Sequence, residues 1–146
     1  MSARTSIVKA LAEKLKAIDG TGQYKTSING NAYPKLKFWD EVQDLPAVYL
    51  AAGSETREYK PGAFKWAFLS ISIKCYVKEE DPQAALENLL EDVERCLDAN
   101  RNLVYDETVP GAQLLEISIT SIITDEGLLE PYGVGEINIT VQHYVI

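Results

Sequence analysis

Histidine is almost missing from this chain: His143 is the only one among 146 residues. A histidine-based metal site or proton relay therefore has one residue to draw on. His143 falls on the inward phase of an alternating C-terminal segment, so a structural histidine is the simpler reading. Cysteine is nearly as scarce. Cys75 and Cys96 are too few for a disulfide framework or a cysteine metal cluster. Both sit beside apolar stripes and read as small buried hydrophobes in a reducing compartment. No apolar run reaches the length of a membrane span, and the first residues lack the long apolar stretch of a secretory signal. No membrane partner is expected.

The usual marks of catalysis are missing too. Gly20-Thr21-Gly22 follows a helical pattern instead of a strand and is no phosphate loop. Ser27, Ser54 and Ser70 stand in no strained elbow motif. Asp40, Glu41 and Asp44 lie close together, as do Glu79, Glu80 and Asp81. Neither cluster has a spacing that selects a hard cation or an acid–base pair. No catalytic residue, metal or cofactor is expected, and the chain reads as a protein that is not an enzyme.

Basic charge is missing from the later half. Residues 1–37 carry seven basic and two acidic side chains, residues 38–78 five of each, and residues 79–146 two basic and fifteen acidic. A general nucleic-acid binder needs a concentrated basic face. Here a mildly basic start is followed by a strongly acidic remainder. If these lie on opposite flanks, copies attract head to tail, and such contacts close into rings or run on as filaments. The plainer alternative is two solvated faces.

What is present is alternation. In Phe64–Val77, Leu69, Ile71, Ile73, Cys75 and Val77 share one phase while Ser70, Ser72 and Lys74 share the other. That is a strand with one buried face. Before it, Leu45–Leu50 reads as a strand with a proline at its start. Residues 51–63 read as a loop or an extended β-arm between the two. Gln113–Ile123 reads as a strand with Leu115, Ile117 and Ile119 inward. Glu136–Ile146 reads as the last strand, with Ile137, Ile139, Val141 and Val145 inward.

Two segments have helical spacing. Ser2–Ile18 places Ile7, Leu11, Leu15 and Ile18 on one stripe, with Ser2 or Thr5 as the cap. Pro82 to about Ala99 places Leu86, Leu89, Leu90, Val93 and Leu97 on another, with Asp81 as its cap and Pro82 as its first residue. Glu87, Glu91, Asp92, Glu94 and Asp98 are expected outward. Asn29–Gly30 predicts a turn, with Tyr24–Ile28 and Asn31–Lys37 as flanks of a weak hairpin. The order predicts an α+β fold: a mostly antiparallel sheet with two helices packed on one face and a long β-arm or loop, all in one domain over residues 1–146. The opposite sheet face, from Ser70 to Gln142, is small and polar.

Phe64, Trp66, Phe68 and Tyr76 share the outward phase of the central strand. They either pack under neighbouring segments or anchor a subunit contact. Stacking on single-stranded nucleic acid is the weaker reading, because the surroundings are not basic. Leu128, Leu129, Tyr132 and Val134 make the 124–135 loop too apolar to be idle.

Taken together, SIVKALAEKLKAI, FWDEVQDLPAVYLAAGSETREY and WAFLSISIKCYVKEEDPQAALENLLEDVERCLD, followed by two closing strands, resemble the tail terminator, or tail completion, proteins of long-tailed bacteriophages. The resemblance spans nearly the whole chain. It implies a small α+β virion protein, assembled in the host cytoplasm, that forms a homo-oligomeric, hexameric ring at the head-proximal end of the tail. The ring caps the tail tube, stops its growth and offers a docking surface to head-completion or neck proteins. In a contractile tail it also meets the sheath. DNA passes through the channel without specific binding. The tube-contacting loop of such proteins maps onto Gly53–Pro61. Glu55, Arg57, Glu58, Tyr59 and Lys60 are thus expected at docking or neighbour contacts. Trp66, Tyr76, Leu128, Leu129 and Tyr132 are expected as apolar anchors. The alternatives are another neck or baseplate ring protein, or a small enzymatic or RNA-binding α+β domain.

Overall fold

The computed structural model describes residues 2–145. The chain runs α1 (Ala3–Leu15), β1 (Ala32–Tyr33), a 3-10 turn (Trp39–Glu41), β2 (Ala47–Lys60), β3 (Phe64–Lys78), α2 (Pro82–Ala99), β4 (Leu114–Thr124) and β5 (Tyr132–Tyr144). The strands form one sheet in the order β1-β2-β3-β5-β4. Only the two-residue β1 runs parallel to its neighbour; every other pair is antiparallel. The fold is α+β, as the alternation predicts.

β3 is the centre of this sheet because its odd residues are apolar from Ala67 to Val77. Leu69, Ile71, Ile73, Cys75 and Val77 are all buried. Both helices cover that face: Ile7, Leu11 and Leu15 of α1 and Leu86, Leu89 and Leu97 of α2 share one cluster with them. Removing such surfaces from water is the main stabilising term, at about 25 cal/mol per Å² of apolar area. Ser2 caps α1, its Oγ accepting from the Thr5 N–H at 3.1 Å. Asp81 caps α2 through the Ala84 N–H at 3.3 Å.

α1 ends at Leu15 rather than Ile18. Its last turn tightens: the Ala17 and Ile18 N–H groups donate to the carbonyls three residues back. This still leaves Ile18 fully buried.

The expected hairpin across Asn29–Gly30 does not form. Asn29 (φ 53°) and Gly30 (φ 76°) do make a left-handed turn. Past it the chain diverges, because Ala32 and Tyr33 align parallel with Val48 and Tyr49 instead. Burial decides this: Ile28 and Ala32 are both at 0% exposure. Pro34, which has no N–H to donate, follows the second paired residue.

Asp92, expected to face solvent, is fully buried. Its carboxylate accepts from the Lys25 N–H at 3.0 Å and the Thr26 N–H at 2.7 Å. The 24–28 segment has no strand partner for these donors, so α2 supplies an acceptor. Asp98 is exposed, as expected, and lines a surface hollow with Arg101 and Glu116, which pair with each other.

Residues 51–60 are strand, not loop; only 61–63 turn. A bulge sets their orientation. Ala52 pairs with Ile71 and Glu55 with Leu69, so Gly53 and Ser54 together face Ser70. One extra residue inverts the side-chain phase. Val48 and Leu50 face the helices before it; Glu55 and Arg57 do so after it.

β4 holds two more irregularities, at Leu114/Glu116 and Ile119/Ser121. The first puts Leu114 in the core (0% exposed) in place of the expected Leu115; the second turns Ile123 outward at 54% exposure, opposite Glu136.

β5 begins at Tyr132, four residues before its expected start, and shortens the 124–135 loop to a turn. Asp125 closes that turn by accepting from the Leu129 and Val134 N–H groups. Gly133 permits the early start. A Cβ there would lie 2.7 Å from Val77 Cγ2 and 2.8 Å from the Pro82 carbonyl.

Candidate assembly interface

The outer face of the sheet is polar, and its groups answer each other across strands. Ser72 Oγ lies 3.1 Å from Asn138 Oδ1, and Lys74 pairs with Glu136. The hydrogen bond from Lys74 holds the Glu136 carboxyl below its ordinary range. Towards one end, residues 33–49 fold over this face and enclose a second, smaller core of Val42, Ala47, Tyr49 and Tyr76. Tyr33, Tyr49 and Tyr76 form a chain of tilted rings at 5.0 and 5.9 Å.

The ten residues singled out as contacts fall in three places. The first is the free end of the β2–β3 hairpin. Tyr59 is 70% exposed there, and Phe64, on the facing strand, is 60% exposed. Glu58 and Lys60 are exposed beside them. Trp66 is half-buried, with Tyr144 edge-on at 5.9 Å and the Lys60 ammonium 5.8 Å from its ring. Glu55 and Arg57 lie further down the strand and pair at 3.0 Å. The Glu55 side chain is only 7% exposed, turned towards α1 and His143 by the bulge.

The second place is the opposite end of β3. Tyr76 is buried, its hydroxyl donating to the Lys37 carbonyl at 2.7 Å, and burial pushes its pKa up to about 12. Tyr132 packs on Trp39 at 5.1 Å, with the Lys78 ammonium 5.2 Å from its ring. The third place is the β4–β5 turn. Leu128 is 84% exposed there, while Leu129 is half-buried against it.

The structure adds surfaces that the sequence reading passed over. Leu36 (52% exposed) and Phe38 (74%) flank a groove of about 410 Å³ floored by Trp39, Tyr76 and Val134. A signal for it exists: Leu36 and Phe38 share a phase in an extended segment with no apolar partner in sequence. The sheet edges are the other addition. β1 covers β2 only at Val48 and Tyr49. Beyond that, the Arg4 guanidinium donates to the Gly53 carbonyl, and no strand pairs with the outer edge among the described residues. β4 is likewise an outer strand. The loop before it holds its start, through Asn102 to the Leu115 carbonyl and Arg101 to Glu116. Such edges are templates for another chain.

Among the described residues, no three His, Cys, Asp or Glu side chains are grouped to hold a metal ion. The arrangement is one of exposed apolar groups, open edges and unpaired charge, which suits association with other protein chains.

Comparison with known proteins agrees with that chemistry. The family model described as Bacteriophage Tail Tube Terminator Protein matches residues 1–145. The tail tube terminator protein p142 of Escherichia phage T5 is 36% identical over 152 residues, covering 98% of this chain and 94% of that protein. A chain from the virion of a native gene transfer agent particle shares the fold, with a TM-score of 0.61 at 12% identity and 95% of each chain covered. The chain belongs to the family of bacteriophage tail tube terminators, structural proteins of the virion that cap the tail tube.

Proposed function

We propose that this protein acts as a hexameric ring seated on the head-proximal end of the tail tube, with residues 1–146 working as one unit. The observation that carries the reading is the disposition of unsatisfied surface on one sheet. Both outer strands have open stretches, and the exposed aromatics lie at opposite ends of β3. A single copy cannot bring these together, whereas head-to-tail neighbours can.

Termination is then steric. The ring occupies the growing end of the tube and presents a different surface on its far side, so the next tube subunit finds no place to add. No bond is broken and no cofactor takes part. The turn carrying Leu128 and Leu129 and the outer edge of β2 are offered to tube and neighbouring copies. The far side docks head-completion or neck proteins, and the sheath where the tail contracts. The excess of acid in residues 79–146 suits a channel through which DNA slides without sticking. Assembly takes place in the host cytoplasm, in keeping with two unpaired, buried cysteines.

The test is to mix the protein with its cognate tube protein and image the products. Capped tubes of limited length, with a six-fold density at one end, are expected. Tubes that grow unchecked in its presence would overturn the reading.

A further inference from the structure

The hairpin end and the Leu36–Phe38 groove carry matching chemistry. At the hairpin end, Tyr59 and Phe64 are exposed aromatics, and Lys60 and Lys65 flank them. Neither ammonium has an acidic partner among the described residues; each rests against a ring, Lys60 on Trp66 and Lys65 on Tyr59 at 5.5 Å. At the groove, Leu36, Phe38 and Val134 present apolar surface over Tyr76. Glu41 and Lys37 line it, with Lys74 already paired to Glu136; Asp40 and Asp44 stand in the same segment, and all three acids are exposed, none within ion-pair distance of a basic side chain among the described residues. Residues 57–65 contain three basic and one acidic side chain, residues 36–44 one basic and three acidic. One surface is an apolar knob with spare positive charge. The other is an apolar groove with spare negative charge.

These two surfaces cannot meet within one chain. Phe64 and Tyr76 are at opposite ends of the same strand, β3. Twelve residues (76 − 64) at about 3.3 Å each set them about 40 Å apart. The hairpin is held straight along that length, since β3 pairs with β5 from Lys78 to Trp66.

We infer that the groove is the seat for the β2–β3 hairpin end of a second copy of this chain: Phe64 of one copy, on the outer face of the hairpin beside Lys60, rests on Leu36, Phe38 and Val134 of the next, Tyr59 and Lys65 complete the knob from its other face, and the two lysines face the acids of residues 40–44. The contact is heterologous, so each copy gives a knob to one neighbour and takes one from the other. This is the geometry a closed ring requires. The apolar centre supplies most of the affinity, and the charged rim sets register and rate of encounter. This inference rests on the ring reading above and names the surface that closes the ring.

The test is a double variant of the full chain, Phe38→Cys with Phe64→Cys, oxidised mildly under conditions where light scattering reports the ring. Cys75 and Cys96 are buried and do not compete. A heterologous contact gives a ladder of covalent oligomers up to the closed ring. Either single variant stops at dimers. A second measurement uses charge. Lys60→Glu with Lys65→Glu is expected to weaken association at least tenfold, and adding Asp40→Lys with Glu41→Lys to restore it. If rings of full mass form but give no ladder and no charge rescue, the groove is not the seat, and the ring reading stands. If no ring forms at any concentration or on tube ends, both fail.

Discussion

Nε2 of His143 lies 3.4 Å from Oε1 of Glu55, and neither atom has a hydrogen-bond partner. Nδ1 of the same ring lies 3.1 Å from the Tyr144 carbonyl. A carbonyl only accepts, so Nδ1 carries a proton. Oε2 of Glu55 is taken by Arg57. One carboxylate thus stands between the end of β5 and Arg57 of its own strand, beneath the first turn of α1.

Glu55→Gln and Glu55→Ala are therefore expected to differ. A glutamine can donate its amide N–H to Nε2 of a neutral imidazole and keep the tie. Alanine takes the carboxylate away from both the buried Nε2 and the Arg57 guanidinium, at a cost of about 1–3 kcal/mol. Urea unfolding should show the alanine variant well below wild type and the glutamine variant close to it. Equal losses would show that the carboxylate charge itself matters.

Asp92 is the other buried polar group with a defined task. Asp92→Ala strips the acceptor from the Lys25 and Thr26 N–H groups. Two orphaned donors predict a loss of about 2–4 kcal/mol. Amide exchange at these two residues is expected to rise ahead of global unfolding, while the β3 amides stay protected.

At Gly133 the limit is space. An alanine methyl would meet the Pro82 carbonyl at 2.8 Å, and a helix start cannot swing aside freely. Gly133→Ala is expected to cost about 1–3 kcal/mol. At Gly135 a Cβ would meet only the ends of Leu86 and Leu90, both at 3.1 Å. Leucine tips rotate, so Gly135→Ala is expected to cost less. Paired melting curves decide the order.

Acid should loosen the outer face. The Lys74 hydrogen bond depresses the Glu136 carboxyl in the folded state. A carboxylate with a lowered folded pKa contributes stability that is complete above its unfolded value, about 4.3, and is lost as pH falls through the folded one. Wild type is therefore expected to lose more stability than Lys74→Met as pH drops below about 4.3. Chemical denaturation across that range checks it, and parallel curves would refute the pairing.

Thiol reactivity gives a cheap check on packing. Burial pushes the Cys75 thiol up to about 12 and raises that of Cys96. The thiolate is the reactive form, so neither residue should react with a disulfide reagent at pH 8 until the protein unfolds. Rapid labelling of Cys75 in the folded protein would mean that the sheet's central strand is exposed.

Where local spacing carries the signal, the sequence was readable. The odd residues of β3, the stripe of α2 with its Asp81 cap and Pro82 start, and the inward Ile137, Ile139 and Val141 all lie as their periods imply. The reading failed wherever one extra residue or one distant donor intervened. A bulge is invisible to alternation, so the period points Leu115 inward in place of Leu114 and gives no sign that Glu55 turns into the fold. Asp92 resembles the other acids of α2, and only the Lys25 and Thr26 amides from across the fold give it a reason to be buried.

Strand and helix composition, the buried face of the central strand and the family are all legible in the order of residues. Those depend on side-chain periods and on motifs spread along the chain. Which apolar residues stay in water is settled by packing between distant segments. Tyr76 and Phe38 look alike as aromatics in extended segments, yet one is roofed by residues 33–49 and the other is 74% exposed. Burial depends on what folds over a residue, and that comes from parts of the chain far away in sequence.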